Sequence, residues 1–313
     1  MSKAMRVARG AAELRGAFGC AVATVGNFDG VHRGHREILQ RVKGAAGRTG
    51  CASLLITFEP HPASVLYPTR DISLLTRTEK KLAILEELGL DAVLLQEFSL
   101  KFAQQDPRDF VSEVLLPLNV RELYVGHDFA FGRGRAGDAA FLMKEGERFG
   151  FSVFEVAQVS LEGDRVGSSR IRSLIVKGEV EQAARLLARH HSVTGPVVKG
   201  AGRGAQIGYP TCNLDEPEET VPGPGVYATR TLWNGRWYGS ATHVGIVPTF
   251  NIDQPSIESF LFDFDGGDIH GHTIEVAFVK KLRDTVKYGS VEALVRQIKA
   301  DCEAARETLK ERP

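Results

Sequence analysis

The sequence predicts an α/β protein: a doubly wound parallel sheet in the N-terminal part, then an antiparallel β-barrel with a terminal helix. Three observations predict it. Early apolar runs lack clean alternation and are separated by amphipathic helical stretches, as expected of strands buried on both faces and joined by helical crossovers. From about Ser192 glycine and proline crowd in, and the apolar runs become short and alternating. One long helical pattern, "SVEALVRQIKADCEAARETLKE", then closes the chain. A length of 313 residues favours two domains, and the change of pattern after "EVEQAARLLARHH" sets them at 1–188 and 189–313.

Taken in order, the expected parallel strands are "CAVATVG", "CASLLITF", "DAVLLQEF", "ELYVG" and "FSVFEV". The helices between them are "REILQRVKGAAGRTG", "RTEKKLAILEELG", "PRDFVSEVLLPL" and "DAAFLMKEGERFG". Ligands of such an open sheet sit beyond the carboxyl ends of its strands. In the barrel, "GVYATRTLWNGRWYGSATHVG" places two strands around Asn234-Gly235, a strong hairpin signal. "ESFLFDF" and "TIEVAFVKKL" supply further strands.

Composition narrows the function classes. Lys plus Arg and Asp plus Glu balance at 39 each, so no net field draws the chain to nucleic acid or an anionic membrane, and an anionic ligand needs a local site. A nucleic-acid module would also need a basic stripe with interleaved aromatics, which the barrel lacks. No apolar run is long enough to span a membrane, and the N-terminus lacks a signal-peptide core; the expected location is the cytoplasm. Cys20, Cys51, Cys212 and Cys302 lie far apart with no C-x-x-C pair. That spacing argues against a zinc site and a disulfide framework, and suits a reducing compartment.

The first chemical signal is "GNFDGVHRGH", Gly26 to His35, directly after the first strand run. Gly26 and Gly30 allow a tight turn and close approach of backbone N–H groups to a ligand. A helix beginning near Arg33 would aim its free N–H groups and positive dipole end at an anion. His32 and His35, three apart, share a helical face, and Gly34 leaves room for a phosphate. Two imidazoles could then stabilise a phosphoryl group during displacement. An isolated H-x-x-H pair is more simply a solvated helix start; the glycines and the strand end favour the phosphate cradle.

This stretch resembles the H-x-G-H signature of the nucleotidyltransferase superfamily. Its longer form, G-x-F-D-G-V-H-x-G-H, is that of the adenylyltransferase half of bacterial bifunctional riboflavin kinase/FAD synthetases. "TFEPHP" (Thr57 to Pro62), "VGHDFAFGRGRAGD" (Val125 to Asp138) and "SSRIR" (Ser168 to Arg172) follow in that family's order. Gly167 departs from it, where many members carry a third serine. The resemblance implies a nucleotidyltransferase domain whose ATP site comprises Gly26, Phe28, Asp29, Gly30, Gly34, Ser168, Ser169 and Arg172, with His32 and His35 catalytic. His61, Asp128, Phe129 and Phe131 would bind the flavin. Physically, Ser168 and Ser169 offer hydroxyls ahead of a helical pattern, and Arg172 can fork to phosphate oxygens. Phe129 and Phe131 can flank an aromatic ring, and Asp128 can accept hydrogen bonds.

A competing signal is "GRGRAG", Gly132 to Gly137, which fits G-x-G-x-x-G and has Glu155 near the end of the next strand. It opens an alternative, an oxidoreductase binding NAD. His127-Asp128 and the phenylalanines of the turn count against that reading.

In the barrel, "GAGRGAQIGYPTCN" (Gly200 to Asn213) combines a donor-rich loop, Gly200, Gly202, Gly204 and Gly208, with two side-chain oxygens. Thr211 and Asn213 lie two apart on an extended segment, hence on one face, and can supplement phosphates and waters around Mg²⁺. A glycine-rich barrel corner is the plainer alternative. Glu258 shares a strand face with Phe260 and Phe262; a carboxylate there needs a partner or a task, such as general base for a substrate hydroxyl. An edge-strand glutamate is the plainer alternative.

"GYPTCN" resembles the P-T-A-N signature of riboflavin kinases, with Cys212 in place of alanine. "GVYA", "VPTF", "ESFLFDF" and "HGHTIEVAFVKKLRD" follow in order, while "LARHHSVTG" and Ile269-His270 depart. The resemblance implies Thr211 and Asn213 as the magnesium- and ATP-binding pair and Glu258 as catalytic base. The implied activities are phosphorylation of riboflavin to FMN, then adenylylation of FMN to FAD with release of pyrophosphate. Both use ATP as co-substrate with Mg²⁺, and neither nucleic acid nor membrane is an expected partner.

Overall fold

The computed structural model describes residues 4–69, 73–200, 202–215, 217–248 and 253–310. It divides into two compact units, Met1–Ile72 with Thr76–Gly167, and Ser73–Leu75 with Ser168–Pro313.

The first unit is built on a six-stranded sheet. Its strands are β1 (Arg6–Ala8), β2 (Ala21–Val25), β3 (Ala52–Glu59), β4 (Ala92–Glu97), β5 (Val120–Gly126) and β6 (Ser152–Val156). Their order is β1-β4-β3-β2-β5-β6 and every pairing is parallel. β2 shows why its sequence does not alternate. Ala23 and Val25 pack with Leu54 and Ile56 on one face. Val22 packs on the other against Val42, Ala45 and Ala46, all on α1 (Arg33–Thr49). Two further helices are α2 (Thr78–Glu87) and α3 (Ala139–Phe149). From β2 the chain proceeds through β3 and β4 toward one edge, then returns to add β5 and β6 on the other. The reversal lies between β2 and β5, and a ligand crevice is expected beyond their carboxyl ends. Some elements differ from those expected, two of them at the sheet edge and after β4. β1 is a three-residue strand with no periodic signal, and "PRDFVSEVLLPL" forms a helical turn, Pro107–Phe110, running into a π-helical turn, Val111–Leu115.

The cysteine expectation is corrected. Cys20 and Cys51 form a disulfide with their Cα atoms 4.9 Å apart, although 31 residues separate them. Parallel pairing aligns Ala21 with Ala52, and Ala52 N donates to Cys20 O at 2.9 Å. The βαβ crossover thus returns the chain beside its own start, and sequence spacing is no guide to that proximity. Cys212 and Cys302 are free thiols. The cysteines therefore no longer argue for a reducing compartment.

The second unit contains a closed barrel of six strands: β7 (His191–Val198), β8 (Cys212–Leu214), β9 (Gly225–Trp233), β10 (Arg236–Pro248), β11 (Asp253–Leu261) and β12 (Thr273–Arg283). They pair antiparallel in the order β7-β8-β11-β10-β9-β12, and β12 closes on β7. Asn234 and Gly235 both have positive φ, 47° and 77°, as a two-residue hairpin turn requires. Val193, Leu214, Tyr227, Val244, Ile257, Val276 and Phe278 fill the interior. Beside them Thr229, Thr231, Ser240, Thr242 and Ser259 are buried and hydrogen-bonded to one another, which offsets the desolvation of five hydroxyls. The longer helices of this unit are α4 (Ser168–Val176), α5 (Val180–Leu187) and α6 (Val291–Lys310). α6 is the expected terminal helix. Its Ala305 packs with Ala228 and Phe262 on the outer face of the barrel, and its Asp301 accepts two bonds from Arg283, at 2.8 and 2.6 Å.

Candidate active sites

The loop after β2 is fixed from beneath. Gly26 N donates to Ile56 O at 3.0 Å, Thr57 Oγ1 donates to Asn27 O at 3.0 Å, and the buried Asp29 accepts from Thr76 N at 3.2 Å. Three residues in four then turn left-handed: Phe28 (φ 49°), Gly30 (φ 84°) and Val31 (φ 39°). Only Gly30 takes that conformation without strain. Phe28 and Val31 are held there by full burial in the core, a cost of roughly 1–3 kcal/mol each that folds tend to concentrate at ligand clamps.

α1 begins at Arg33, where the sequence places it, with His32 as its cap. His32 Nδ1 accepts from His35 N at 3.3 Å, so a neutral His32 carries its proton on Nε2. The shared face becomes a ring stack: His32 and His35 lie 3.6 Å apart at 15°, and Phe28 covers the far side of His35 at 4.5 Å. His35 Nδ1 is buried without a hydrogen-bond partner. Burial, followed by the charges of His32 and Lys81, holds the His35 pKa well below its ordinary value, so the ring is neutral at neutral pH. A Cβ on Gly34 would lie 3.2 Å from the His32 ring; the glycine lets that ring fold over the helix start.

Lys81 was not legible as a site residue. It is only 6% exposed, and its Nζ lies 3.4 Å from both Asn27 O and Thr57 Oγ1. The available signal was spacing: Lys81 stands three and four residues before Ile84 and Leu85, the buried face of α2.

His61 follows β3 and caps the short helix Pro62–Leu66, its Nδ1 accepting from Ala63 N at 3.2 Å. Asp128, Phe129 and Phe131 follow β5. The cradle, His61 and the Asp128 loop therefore all leave the carboxyl ends of three adjacent strands, β3-β2-β5. The Asp128 side chain is exposed. Phe131 packs on Phe110 and Phe141, with Phe129 stacked against it at 5.4 Å, so these rings are partly committed to the core. The dinucleotide alternative fails here. Ala130–Phe131 pairs antiparallel with Gly137–Asp138, and "GRGRAG" forms the tip of that small hairpin. A dinucleotide fingerprint needs its strand to turn directly into a helix. Helix α3 instead starts beyond the hairpin, its first turn capped by Asp138, which accepts from Phe141 N at 2.7 Å.

In the second unit Ser168 and Ser169 open α4, and Arg172 donates through Nε to Ser73 O at 2.9 Å. The glycine-rich loop between β7 and β8 lies directly on the predicted oxygens. A Cβ on Gly200 would come within 2.2 Å of Asn213 Nδ2, and one on Gly204 within 2.3 Å of Tyr209 O and 3.5 Å of Thr211 Oγ1. Gly202 and Gly208 complete the same loop. β8 pairs Asn213 with Glu258, and β10 pairs His243 with Glu258. Asn213, Glu258 and His243 thus form one row across three strands. Their sequence neighbours Ile257 and Ser259 point inward, so the row lies on the outer face with Phe260 and Phe262, and Tyr209 packs edge-on against Phe260. His243 was missed by the sequence reading. Its ring reaches Thr285 Oγ1 at 3.5 Å and burial lowers its pKa. The "VPTF" motif ends at Thr249 and Phe250, outside the described residues.

The sequence matches two family models in series, FAD synthetase over residues 17–170 and riboflavin kinase over residues 187–309. A bifunctional riboflavin kinase/FMN adenylyltransferase from Pseudomonas fluorescens is 36% identical over 304 residues, covering 96% of this chain and 97% of its own length. The chain belongs to that family. The relative of the same name from Escherichia coli K12 is 35% identical, covering 92% of each chain, and that from Bacillus subtilis is 32% identical, covering 91% of each. A crystal structure of a macrolide-efflux protein from Streptococcus pneumoniae has the same fold, with a TM-score of 0.84, 29% identity, and coverage of 97% of this chain and 99% of its own. Among the described residues no helix is long and apolar enough to cross a membrane. Within the bifunctional family, the two loops described above fall one in each matched segment.

Proposed function

We propose that this chain converts riboflavin to FAD in two ATP-dependent steps, with adenylyl transfer in residues 1–188 and the kinase in residues 189–313. The observation that carries the reading is the presence of two glycine-bearing loops in one chain, each within a matched family segment. In the kinase, Glu258 takes the proton of the ribityl 5′-hydroxyl as that oxygen attacks the γ-phosphorus of ATP, and ADP leaves. Thr211 and Asn213 would hold Mg²⁺, their two neutral oxygens fitting a hard cation that keeps phosphate and water ligands; the ion would neutralise phosphate charge. Gly200, Gly202, Gly204 and Gly208 admit the phosphates.

In the other domain an FMN phosphate oxygen attacks the α-phosphorus of ATP, and pyrophosphate leaves. Gly26, Phe28, Asp29, Gly30 and Gly34 shape the ATP cradle. His32 and His35 donate to the phosphoryl oxygens, His35 as a neutral imidazole. His61, Asp128, Phe129 and Phe131 receive the flavin. Positioning and charge stabilisation carry such transfers without a covalent intermediate. The reading places the enzyme in the cytoplasm. Incubating the purified protein with riboflavin, ATP and Mg²⁺ and separating the products tests it: FMN should appear first and FAD after it. Absence of FMN would overturn the kinase reading, and FMN without FAD would overturn the adenylyltransferase reading.

A further inference from the structure

We propose that Lys81 is a positioning residue of the adenylyl-transfer cradle, aiming the Asn27–Phe28 peptide at the phosphate. The inference rests on the reading of that cradle as the adenylyl-transfer site.

The Asn27 carbonyl receives two donors from beneath, Thr57 Oγ1 at 3.0 Å and Lys81 Nζ at 3.4 Å. A trans peptide is planar, with its C=O and N–H pointing in opposite directions. Anchoring that carbonyl therefore turns the Phe28 N–H away from Lys81, at the point where the chain enters its left-handed turn. A lysine that is 6% exposed is costly to bury unless it is paired. The carboxylates of Asp29 and Glu59 favour its charged form, against the larger opposing effect of burial. Asp29 belongs to the same turn, so the ammonium that bonds the loop's carbonyl is also favoured by the loop's own carboxylate. A second effect of the same charge is on His35, where it adds to burial, the larger cause, and to His32 in disfavouring a proton. Phe28, the other ring packed on His35, carries no charge.

Two variants separate the two effects. Lys81→Met removes the charge and one donor to Asn27 O, while Thr57→Val removes the other donor and a neutral acceptor of Lys81 but leaves the charge in place. FAD formation from FMN and ATP should fall about ten- to hundredfold in kcat for Lys81→Met, the order expected of misplacing a reacting group by about 1 Å. FMN formation from riboflavin should stay unchanged. The His35 ring, followed by NMR, should titrate at higher pH in Lys81→Met but not in Thr57→Val, which should still lose FAD synthesis. Lys81→Arg, keeping the charge, should restore most of the rate and the low His35 pKa. FAD synthesis within twofold of wild type in Lys81→Met, or a fall with His35 unmoved, would overturn the proposal. Wild-type protein that makes no FAD would overturn the cradle reading, while the His35 titration would still decide what Lys81 does.

Discussion

Replacing Gly200 by alanine should disable one activity and spare the other. The added Cβ would stand 2.2 Å from Asn213 Nδ2, 2.5 Å from its Cγ and 2.7 Å from its Oδ1. Ordinary non-bonded contact begins near 3.5 Å, so the Asn213 amide must move by roughly 1 Å. Asn213 sits in register with Glu258, and the movement shifts a proposed ATP and Mg²⁺ contact relative to the base. Misplacement of that size costs about 100-fold in rate. The assay is steady-state FMN formation from riboflavin, run beside FAD formation from supplied FMN. The first should drop by about two orders of magnitude with a higher KM for ATP, and the second should stay at its wild-type value. Thermal unfolding should change little, since the loop is at the surface. A Gly200→Ala enzyme with kinase activity within twofold of wild type would refute the reasoning, because Asn213 would then be free to move without consequence.

Four further outcomes are expected. His32→Ala with His35→Ala should abolish FAD synthesis while FMN accumulates, as product separation would reveal; wild-type FAD output would remove the rings from the mechanism. Glu258→Gln should lower the kinase rate by about 10²- to 10⁴-fold, the usual range for a general base, with little change in riboflavin KM; a loss confined to KM would make it a recognition residue. The Cys20–Cys51 bridge closes a span of 31 residues, for which chain entropy gives about 3–4 kcal/mol of stabilisation. Reductant should therefore lower the denaturation midpoint of the wild type and leave that of Cys20→Ser unmoved; equal responses would exclude the bridge. Finally, the lowered His35 pKa means that the unfolded chain binds this proton more readily. The stability His35 contributes is present above its ordinary pKa of about 6.5 and is lost as the pH falls from there toward its folded value. Urea midpoints at pH 7.5 and 5.5 should differ less in His35→Gln than in wild type, and an unchanged difference would place the titration elsewhere.

Local chemistry was enough to reveal the two architectures and to single out "GNFDGVHRGH", the Thr211–Asn213 pair and Glu258 as candidates. Turns, caps and periodicity act within a few residues, and "GNFDGVHRGH" and "GYPTCN" are each contiguous. Only the tertiary structure decided what depends on register between distant strands. The β2–β3 crossover brought Cys20 to Cys51, and β10 placed His243 beside Glu258. The face of α2 that turns inward carried Lys81 beneath Asn27. "GRGRAG" makes the same point from the other side: its spacing fits a dinucleotide turn, yet two short paired segments fold it into a hairpin. Pairing and packing join residues by distance in space, and one sequence records distance only along the chain.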